Sequence, residues 1–233
     1  MLNKLIKTDR QTIVFSTAIG LLIISTIIAG SLMQKWGYEI RQWHWENMWL
    51  IPAFIVVAFL QKKVGLPPVE GQFSRPSGRA MPWILGIIFG ILDILVIKVV
   101  LHPEPYTTLP PFLQPFPYSL FLYSAGAFEV DFTYRLLPLT FLLLASSLTK
   151  KTDIRKYIMI IVGILSSLAE PLMQLPEGAT WFIVYAFLSG LAMNGLQYYF
   201  LVKHGFAASY AVRLGHYLFW HNLLGIYVQF IEL

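Results

Sequence analysis

The sequence predicts an all-α protein: a polytopic bundle of about seven membrane-spanning helices, forming a single domain over residues 1–233. Only 12% of the residues are charged and 57% are hydrophobic, whereas a soluble domain is about one quarter charged. The hydrophobic residues occur in runs close to the roughly 20 residues that a helix needs to cross a bilayer. Lysine and arginine are also divided unevenly between the segments that join these runs.

Each predicted span is an apolar run bounded by charged, aromatic or proline-rich residues. The first, TIVFSTAIGLLIISTIIAGSLM, is too long for the core of a signal peptide, so we expect a retained helix. The second is short and follows a Trp-rich stretch, which is typical of a membrane interface. The fourth leads into Pro138, where we expect the helix to kink or end, with 139–148 as a bent extension or a short re-entrant helix. The predicted spans are 12–33, 47–61, 81–101, 117–137, 157–174, 180–202 and 207–231.

The joining segments set the predicted orientation. One side carries only Lys35 and Arg41 as basic residues, whereas the other side is rich in both lysine and arginine. Because excess Lys and Arg marks the cytoplasmic side, we expect the N-terminus inside and the C-terminus outside, in a cell membrane. The outer segment HPEPYTTLPPFLQPFP (102–117) is too rich in proline for a regular helix and is expected to lie over the outer mouth of the bundle. The basic side carries Lys4, Lys7, Arg10, Lys62, Lys63, Arg75, Arg79, Lys150, Lys151, Arg155, Lys156 and Lys203.

Two carboxylates and an arginine lie inside the fourth span, in FEVDFTYR (128–135). An ionised group at mid-bilayer costs about 2.5–3.5 kcal/mol on insertion scales, so such groups are expected to share a polar interior with opposite charges paired. Asp131 and Arg135 are four residues apart on one helix face, where they form either a functional pair or only a neutralising one. Glu129 lies about 200° around the helix from Asp131, unless a π-bulge makes the backbone irregular. Other ionisable residues within the spans are Asp93, Glu170, Arg213, His216 and His221.

The later spans offer partners for these charges. Glu170 is expected to pair with Arg135 or Arg213, since an unpaired carboxylate in so apolar a place would stay protonated. His216 and His221 are five residues apart, about 140° around a helix, and are a poor chelating pair by themselves. A metal ion would therefore need further ligands from other spans, and metal dependence stays open. The sequence predicts no cofactor and no nucleic-acid partner.

Three features of the later spans form a recognisable set. One helix carries an acidic residue four positions before an arginine, and a later helix has a polar position. The last helix starts at a glycine and carries a histidine. The set lies within residues 117–225, most clearly in YSLFLYSAGAFEVDFTYRLLPL and YAFLSGLAMNGLQYYFLVKHGFAASYAVRLGHYLFWHNLLG. It resembles the CPBP family, the CAAX-prenyl endopeptidase-like and bacteriocin-processing membrane proteins. The resemblance implies an intramembrane protease fold, here in a divergent member with incomplete motifs.

The first two family motifs match this chain in part. In the Glu-Glu-xxx-Arg motif, Arg135 matches the arginine and Asp131 matches the second glutamate. The first glutamate, which in the family works with a histidine to activate water, falls on Val130, one residue after Glu129. In the Phe-xxx-His motif, the histidine falls on Glu170.

The third family motif, His-xxx-Asn/Asp, is thought to hold the oxyanion and can be matched in two registers. Anchored on His216, its second position is Trp220. Anchored on the spacing from the glycine at the start of the last helix, its histidine falls on Arg213 and its second position on Tyr217. A trailing histidine often seen in the family then matches His221.

Three functions remain open at this stage. The first is an intramembrane peptidase, a hydrolase for a membrane-tethered peptide, because peptide hydrolysis needs a base for water and donors for the oxyanion. It would use Glu129 and Glu170 as acid and base, Asp131 with Arg135 as an orienting pair, and His216 or His221 as the oxyanion donor.

The second function is that of a catalytically inactive relative, which binds a peptide, a lipid or a partner helix in a polar intramembrane cavity. The small-residue run GLAMNG (190–195) offers a face for close helix packing in that case. The third is a small proton-coupled transporter, since chains of intramembrane Asp, Glu and His also mark proton paths. The lipid bilayer is the surrounding partner in all three.

Overall fold

The computed structural model describes residues 2–71, 76–147 and 152–233 and, within them, every side chain except those of 2–9, 76–79 and 152–153. The described ranges are mostly helical and contain no β-strand, which confirms the all-α class. The helices are α1 Leu2–Lys35, α2 Leu50–Lys63, α3 Pro76–Ile94, α4 Tyr118–Asp131, α5 Leu137–Ser147, α6 Thr152–Met173, α7 Thr180–His204, α8 Phe206–Tyr217 and α9 Leu224–Tyr227.

Short helical segments of other types join several of these helices end to end. The 3-10 turn Trp45–Trp49 leads into α2, and the π-helical Leu95–Leu101 prolongs α3. The π-helical Phe132–Leu136 joins α4 to α5, Leu218–Leu223 joins α8 to α9, and Val228–Glu232 follows α9. The described residues therefore form seven continuous helical segments, one at each predicted apolar run.

The fourth of these segments continues past Pro138, so of the two outcomes that the sequence predicted there, a kink or an end, the structure excludes the end. It runs from α4 through Phe132–Leu136 into α5 without a break. A proline lacks an N–H group and leaves the carbonyl four residues earlier without its α-helical partner. The π-helical stretch just before Pro138 changes the hydrogen-bond spacing at that point. The helix therefore continues, and residues 139–147 extend it rather than forming a separate re-entrant helix.

Among the described residues, three helices are long and apolar enough to cross a membrane, which supports the prediction of a membrane protein. They are Arg10–Lys35, Ala80–Leu101 and Ile154–Met173. Their apolar side chains are largely on the surface of the bundle; Ile84 and Ile88 of α3, for example, are about half exposed. An exposed apolar surface of this kind suits a lipid environment rather than water.

The two ends of the bundle differ in composition. One end, here called the basic end, carries residues 64–71 and the α7–α8 turn at Gly205. Arg155 Nη1 donates to the Val64 carbonyl at 2.5 Å, and Ala207 N donates to the Val69 carbonyl at 2.8 Å. Its described basic residues are Arg10, Lys62, Lys63, Arg155, Lys156 and Lys203, whereas Arg75, Lys150 and Lys151, and the side chains of Lys4, Lys7 and Arg79, lie outside the described part.

The opposite end, here called the loop end, carries residues 36–49, 102–117 and 174–179. Hydrogen bonds tie the first two segments together: Arg41 N donates to Gln114 Oε1 at 2.7 Å, and the Tyr118 hydroxyl donates to the Arg41 carbonyl at 2.9 Å. The proline-rich segment 102–117 is irregular, as predicted, and it is held against the bundle.

Helix α8 lies at the centre of the bundle, and its first eight residues are buried. It crosses α3 at very short range, because a Cβ atom on Gly86 would lie 1.9 Å from the Val212 carbonyl oxygen. Gly215 of α8 has the same role, because a Cβ atom there would lie 2.7 Å from the Trp83 carbonyl oxygen of α3. This close contact fixes the rotation of α8 relative to α3 and so aims the polar side chains of both helices.

Candidate functional site: a polar cavity beside a buried ion-pair network

A cavity of about 660 Å³ lies between α3, α4, α6, α7 and α8. It extends to the loop end, where Arg41 and Gln174 line it and are exposed to the surface. Phe112 of the proline-rich segment also contributes to its wall. The acidic, basic and histidine side chains among its lining residues are Arg41, Asp93, Glu129, Glu170, Arg213, His216 and His221.

Helix α4 divides its two carboxylates between different surroundings. Glu129 lines the cavity, whereas Asp131 is fully buried and lies off the cavity wall. This opposition follows from the two-residue spacing on a regular helix, which the sequence predicted. Arg135 Nη1 donates to Asp131 Oδ1 at 2.8 Å, and both side chains are fully buried. Asp131 and Arg135 therefore form the predicted i, i+4 pair, but they lie behind the cavity wall rather than on it.

A second buried pair joins α6 to α8. Arg213 Nη1 donates to Glu170 Oε1 at 2.6 Å, and Arg213 Nη2 donates to Glu170 Oε2. Parallel double contacts of this kind are the strong form of an arginine–carboxylate interaction. Of the two arginines that the sequence offered to Glu170, the structure selects Arg213. Its further acceptors are Gln197 Oε1 at 2.9 Å and the Tyr217 hydroxyl at 3.1 Å.

Asn194 of α7 connects the two pairs. Its Oδ1 accepts hydrogen bonds from Arg213 Nη2 at 2.9 Å and from Arg135 Nη2, while its Nδ2 donates to the Gly190 carbonyl at 2.8 Å. The result is one charge-neutral cluster, here called the buried network, in which two carboxylates and two guanidinium groups balance each other. Its members are Asp131, Arg135, Glu170, Asn194, Gln197 and Arg213.

Asp93 of α3 is a further carboxylate. It was noted among the intramembrane charges of the sequence but was not selected as a site residue. The structure places it on the cavity wall with two partners. His216 Nε2 lies 2.6 Å from Asp93 Oδ2, and the Tyr185 hydroxyl donates to Asp93 Oδ1 at 2.7 Å. The other ring nitrogen, His216 Nδ1, is buried and has no hydrogen-bond partner among the described residues. Because His216 follows Asp93 by 123 positions, no local spacing could reveal this contact.

His221 lies at the loop end of the cavity and is held by the proline-rich segment. Its Nδ1 lies 2.9 Å from the Phe112 carbonyl oxygen, which also accepts a hydrogen bond from the Tyr123 hydroxyl at 2.7 Å. The His221 ring stacks on the Tyr123 ring, with centroids 4.0 Å apart. The centroids of His221 and His216 are 6.4 Å apart. Within the described residues, no three His, Asp or Glu side chains are grouped closely enough to hold a metal ion.

Glu129 is the least satisfied carboxylate of the wall. The described residues give its side chain one hydrogen bond, from Asn47 Nδ2 at 3.4 Å, near the upper limit for such a contact. Arg41 lies at the rim, with its guanidinium carbon 5.5 Å from the centre of the Tyr123 ring. Neither residue was selected from the sequence, since Arg41 belongs to a segment between predicted spans and Asn47 is an uncharged residue at the first position of the second span.

A polar clasp fastens the proline-rich segment to the end of the chain. Lys98 Nζ lies 2.8 Å from Glu232 Oε1 and donates to the Glu104 carbonyl at 2.6 Å, while Tyr106 N donates to Glu232 Oε2 at 2.9 Å. Burial by itself raises the pKa of Glu232, but the hydrogen bonds from Lys98 and Tyr106 outweigh it and lower that pKa below the usual glutamate value. Burial and the charge of Glu232 raise the pKa of the Tyr106 hydroxyl.

Comparison with protein-family models, with curated proteins and with solved structures finds no match to this chain. The site therefore has to be interpreted from its own geometry. The structure brings Glu129, Glu170, His216 and His221 to one cavity, as a shared site requires. It separates Asp131 and Arg135 from that cavity, and it adds Asp93, Tyr185 and Arg41 to it.

Proposed function

We infer that this chain is a seven-span protein of the cell membrane that binds a ligand in its polar cavity without hydrolysing it, as a non-catalytic relative of the CPBP family. Seven continuous helical segments and the exposed apolar surface support the seven crossings. The described lysines and arginines gathered at the basic end support a cytoplasmic location for that end. The N-terminus then lies inside, the C-terminus outside, and the cavity opens outward.

The Glu170–Arg213 pair is the observation that carries this proposal. In the register counted from Gly205, Glu170 and Arg213 stand where the resemblance expects two histidines. They lie in contact on the cavity wall beside Tyr217, the second position of the third motif. A close ion pair thus occupies the place of the two histidines that the family uses with water and the oxyanion.

The groups that peptide hydrolysis requires are engaged or missing at these positions. Both oxygens of Glu170 accept hydrogen bonds from Arg213, which removes this carboxylate as a base for water. Val130, at the position of the first glutamate, lines the cavity but carries no ionisable group. A carboxylate neutralised by an arginine is unsuited to proton transfer, and the cavity beside the pair still has room for a ligand.

Filling the cavity tests this function. Gly126 lines the cavity, and a Cβ atom there would meet no other atom within 4 Å, so Gly126→Trp places an indole into the space. The control, Val184→Trp, adds the same bulk to an exposed position on the outer surface of α7. Each variant is extracted gently into nanodiscs, and retained molecules are identified by native mass spectrometry. We expect retention of a specific ligand by the wild type and by Val184→Trp, and loss from Gly126→Trp; equal retention by all three would remove the proposal.

Hydrolysis of a membrane-tethered peptide is the second candidate, and the Asp93–His216 contact favours it. A histidine held by a carboxylate on a cavity wall is an arrangement that enzymes use for general acid–base catalysis. The decisive comparison is the processing of a model membrane peptide by the wild type, Glu129→Gln, Glu170→Gln and His216→Ala. Cleavage by the wild type that is lost in these variants establishes a peptidase, and its absence leaves the binding function alone.

A further inference from the structure

A second concave surface lies between α6 and α7, apart from the polar cavity. It encloses about 710 Å³, opens to the outside of the bundle and shares no lining residue with the cavity. Residues within 159–168 of α6 and 191–198 of α7 line it, and all of these side chains are apolar except those of Ser167 and Tyr198. Both of these hydroxyl groups donate to carbonyl groups of α6. This surface, here called the α6–α7 groove, therefore offers mainly apolar contacts to a ligand.

Glycines shape the α6–α7 groove. The Tyr198 ring packs directly on Gly163, where a Cβ atom would lie 2.7 Å from a ring carbon. At Gly195 a Cβ atom would meet no other atom closer than 3.8 Å, so this position adjoins free space. Toward the loop end the two helices approach again, because a Cβ atom on Gly190 would lie 3.1 Å from the Pro171 ring. The groove is therefore bounded on that side, and its length lies toward the basic end.

The length of the groove matches one leaflet of a bilayer. Its α6 wall reaches Leu168, and the axis of α6 rises about 18 Å from Lys156 to that residue, at about 1.5 Å per residue. A leaflet with its headgroups is about 20 Å deep, half the thickness of the whole bilayer. The segment Ile154–Met173 of α6 is long and apolar enough to cross a membrane. One acyl chain therefore fits along the groove when its headgroup lies level with Lys156.

Exposed lysines of both helices stand at the basic end of this groove. Lys156 precedes Met159 by three residues and Ile160 by four, so it shares the face of α6 that lines the groove. The Tyr198 hydroxyl donates to the Met159 carbonyl, which places these two residues at the same level of the antiparallel helices. Lys203 follows Tyr198 by five residues along α7. The two lysines therefore extend past the groove in the same direction.

Both ammonium groups are available to an anion. Among the described residues, no carboxylate forms an ion pair with Lys156 or Lys203. Lys203 Nζ donates to the Tyr199 hydroxyl at 2.8 Å and lies 5.1 Å from the centre of that ring. Two of its three N–H donors then remain for a ligand. Arg155, by contrast, already donates to the carbonyl groups of residues 64 and 65.

We propose that the α6–α7 groove binds one acyl chain of an anionic phospholipid, with Lys156 and Lys203 contacting its phosphate. Basic sites between membrane helices on the cytoplasmic side bind anionic headgroups in this way. A headgroup with a net negative charge complements two lysines better than a zwitterionic one does. A partner helix packed in the groove would leave both ammonium groups without a counter-charge. This lipid site is separate from the polar cavity and goes beyond the function proposed for it.

Competition between two lipids tests the charge selection. The full chain is placed in nanodiscs with equal amounts of phosphatidylglycerol and phosphatidylcholine that carry the same acyl chains, and the lipids it retains are identified by native mass spectrometry. We expect one phosphatidylglycerol per chain to be retained in preference to phosphatidylcholine. Lys156→Gln and Lys203→Gln should each lower this preference about five-fold, which corresponds to about 1 kcal/mol per lysine. Lys35→Gln removes an exposed lysine at the opposite end and should leave the preference unchanged.

Filling the groove tests the acyl-chain contact without changing any charge. Gly195→Leu places a side chain into the free space of the groove, and it should abolish the retained phosphatidylglycerol. The control Ala192→Leu adds the same side chain to an exposed position of α7 outside the groove and should retain the lipid. Gly126→Trp fills the polar cavity instead and should also retain it, so failure of the cavity function and failure of the lipid site are distinguishable.

Each remaining outcome overturns the proposal. Equal retention of the two lipids by the wild type removes the anionic selection. Loss in the lysine variants but not in Gly195→Leu would mean a headgroup contact without the groove, and loss in Gly195→Leu alone would mean a groove without charge selection. Retention of a second polypeptide instead of a lipid, lost from Gly195→Leu, would identify a partner helix. The two lysine variants are independent, so one that fails to fold leaves the other as the test.

Discussion

The buried network and the cavity wall contain the same kinds of ionisable groups in opposite situations. In the network, each carboxylate bonds an arginine, and Asn194 bridges the two arginines, so the cluster is charge-neutral. On the wall, Asp93 contacts a histidine and a tyrosine, and Glu129 has only a weak contact with an amide. A charge buried with its counter-charge contributes to the structure, whereas a charge that faces a cavity without a full counter-charge is free to bind a ligand.

The largest effect is expected from breaking the network at Arg213. Arg213→Met keeps the unbranched first part of the side chain but leaves Glu170 buried without its cation, which we expect to cost about 3–5 kcal/mol of unfolding free energy. Unfolding in mixed micelles measures it. The double variant Arg213→Met/Glu170→Gln removes both charges and should recover most of the loss. A double variant as unstable as the single one would show that packing, and not charge, is responsible.

A smaller effect is expected at the bridge between the two arginines. Asn194→Leu keeps the volume but removes the oxygen that accepts from both Arg135 and Arg213. We expect a loss of about 1–3 kcal/mol, the cost of leaving buried donors unsatisfied. The same unfolding measurement applies, with the cavity-facing Ser189→Ala as a control that should change stability little. Stability of Asn194→Leu equal to wild type would mean that the two ion pairs are independent.

The clasp at the loop end responds to pH through the carboxylate of Glu232, which lies beyond the last predicted span. The pKa of Glu232 is lower in the folded chain than its usual value, so the folded state binds the proton less readily than the unfolded state does. The clasp therefore stabilises the fold above the usual glutamate pKa of about 4.3 and loses this contribution as the pH falls through the depressed value. Unfolding followed from pH 7 to pH 3 should show the loss in the wild type. Glu232→Gln should lack that part of the pH dependence, and an identical profile would contradict the assignment.

The smallest effect on stability is expected on the wall. Glu129→Gln removes a charge whose described contact is a single long hydrogen bond, so the unfolding free energy should change by no more than about 0.5 kcal/mol. The same variant is expected to weaken retention of the cavity ligand, because Glu129 lines the cavity, and this separates the role of Glu129 from that of the network residues. A loss comparable to that of Arg213→Met would place Glu129 with the structural charges.

The local features of the site could be predicted from the sequence. The i, i+4 spacing of Asp131 and Arg135 predicted their contact, and the two-residue spacing of Glu129 and Asp131 predicted that they point to different surroundings. Both follow from the geometry of one helix. Of the two outcomes predicted at Pro138, a kink or an end of the helix, the end does not occur, because a π-helical turn accommodates the proline without ending the helix.

The contacts between helices could not be predicted in the same way. Glu170 had two candidate arginines, and only the rotation of α8, set by its close crossing of α3 at Gly86, brings Arg213 to it. Asp93 and Tyr185 were passed over as site residues because nothing in their local sequence relates them to His216. The run GLAMNG, expected to offer a face for close helix packing, is used within the chain, where Gly190 lies against Pro171.

The sequence by itself determined the helices and their apolar surfaces, because hydrophobic runs and helical spacing act over a few residues. It also limited where charge could occur inside the bundle, since unpaired charges are costly there. Only the tertiary structure decided which charges close on each other and which face the cavity. That outcome depends on how each helix is rotated and how closely the helices cross. A rotation equal to one or two residue positions would move a side chain from the buried network to the cavity wall.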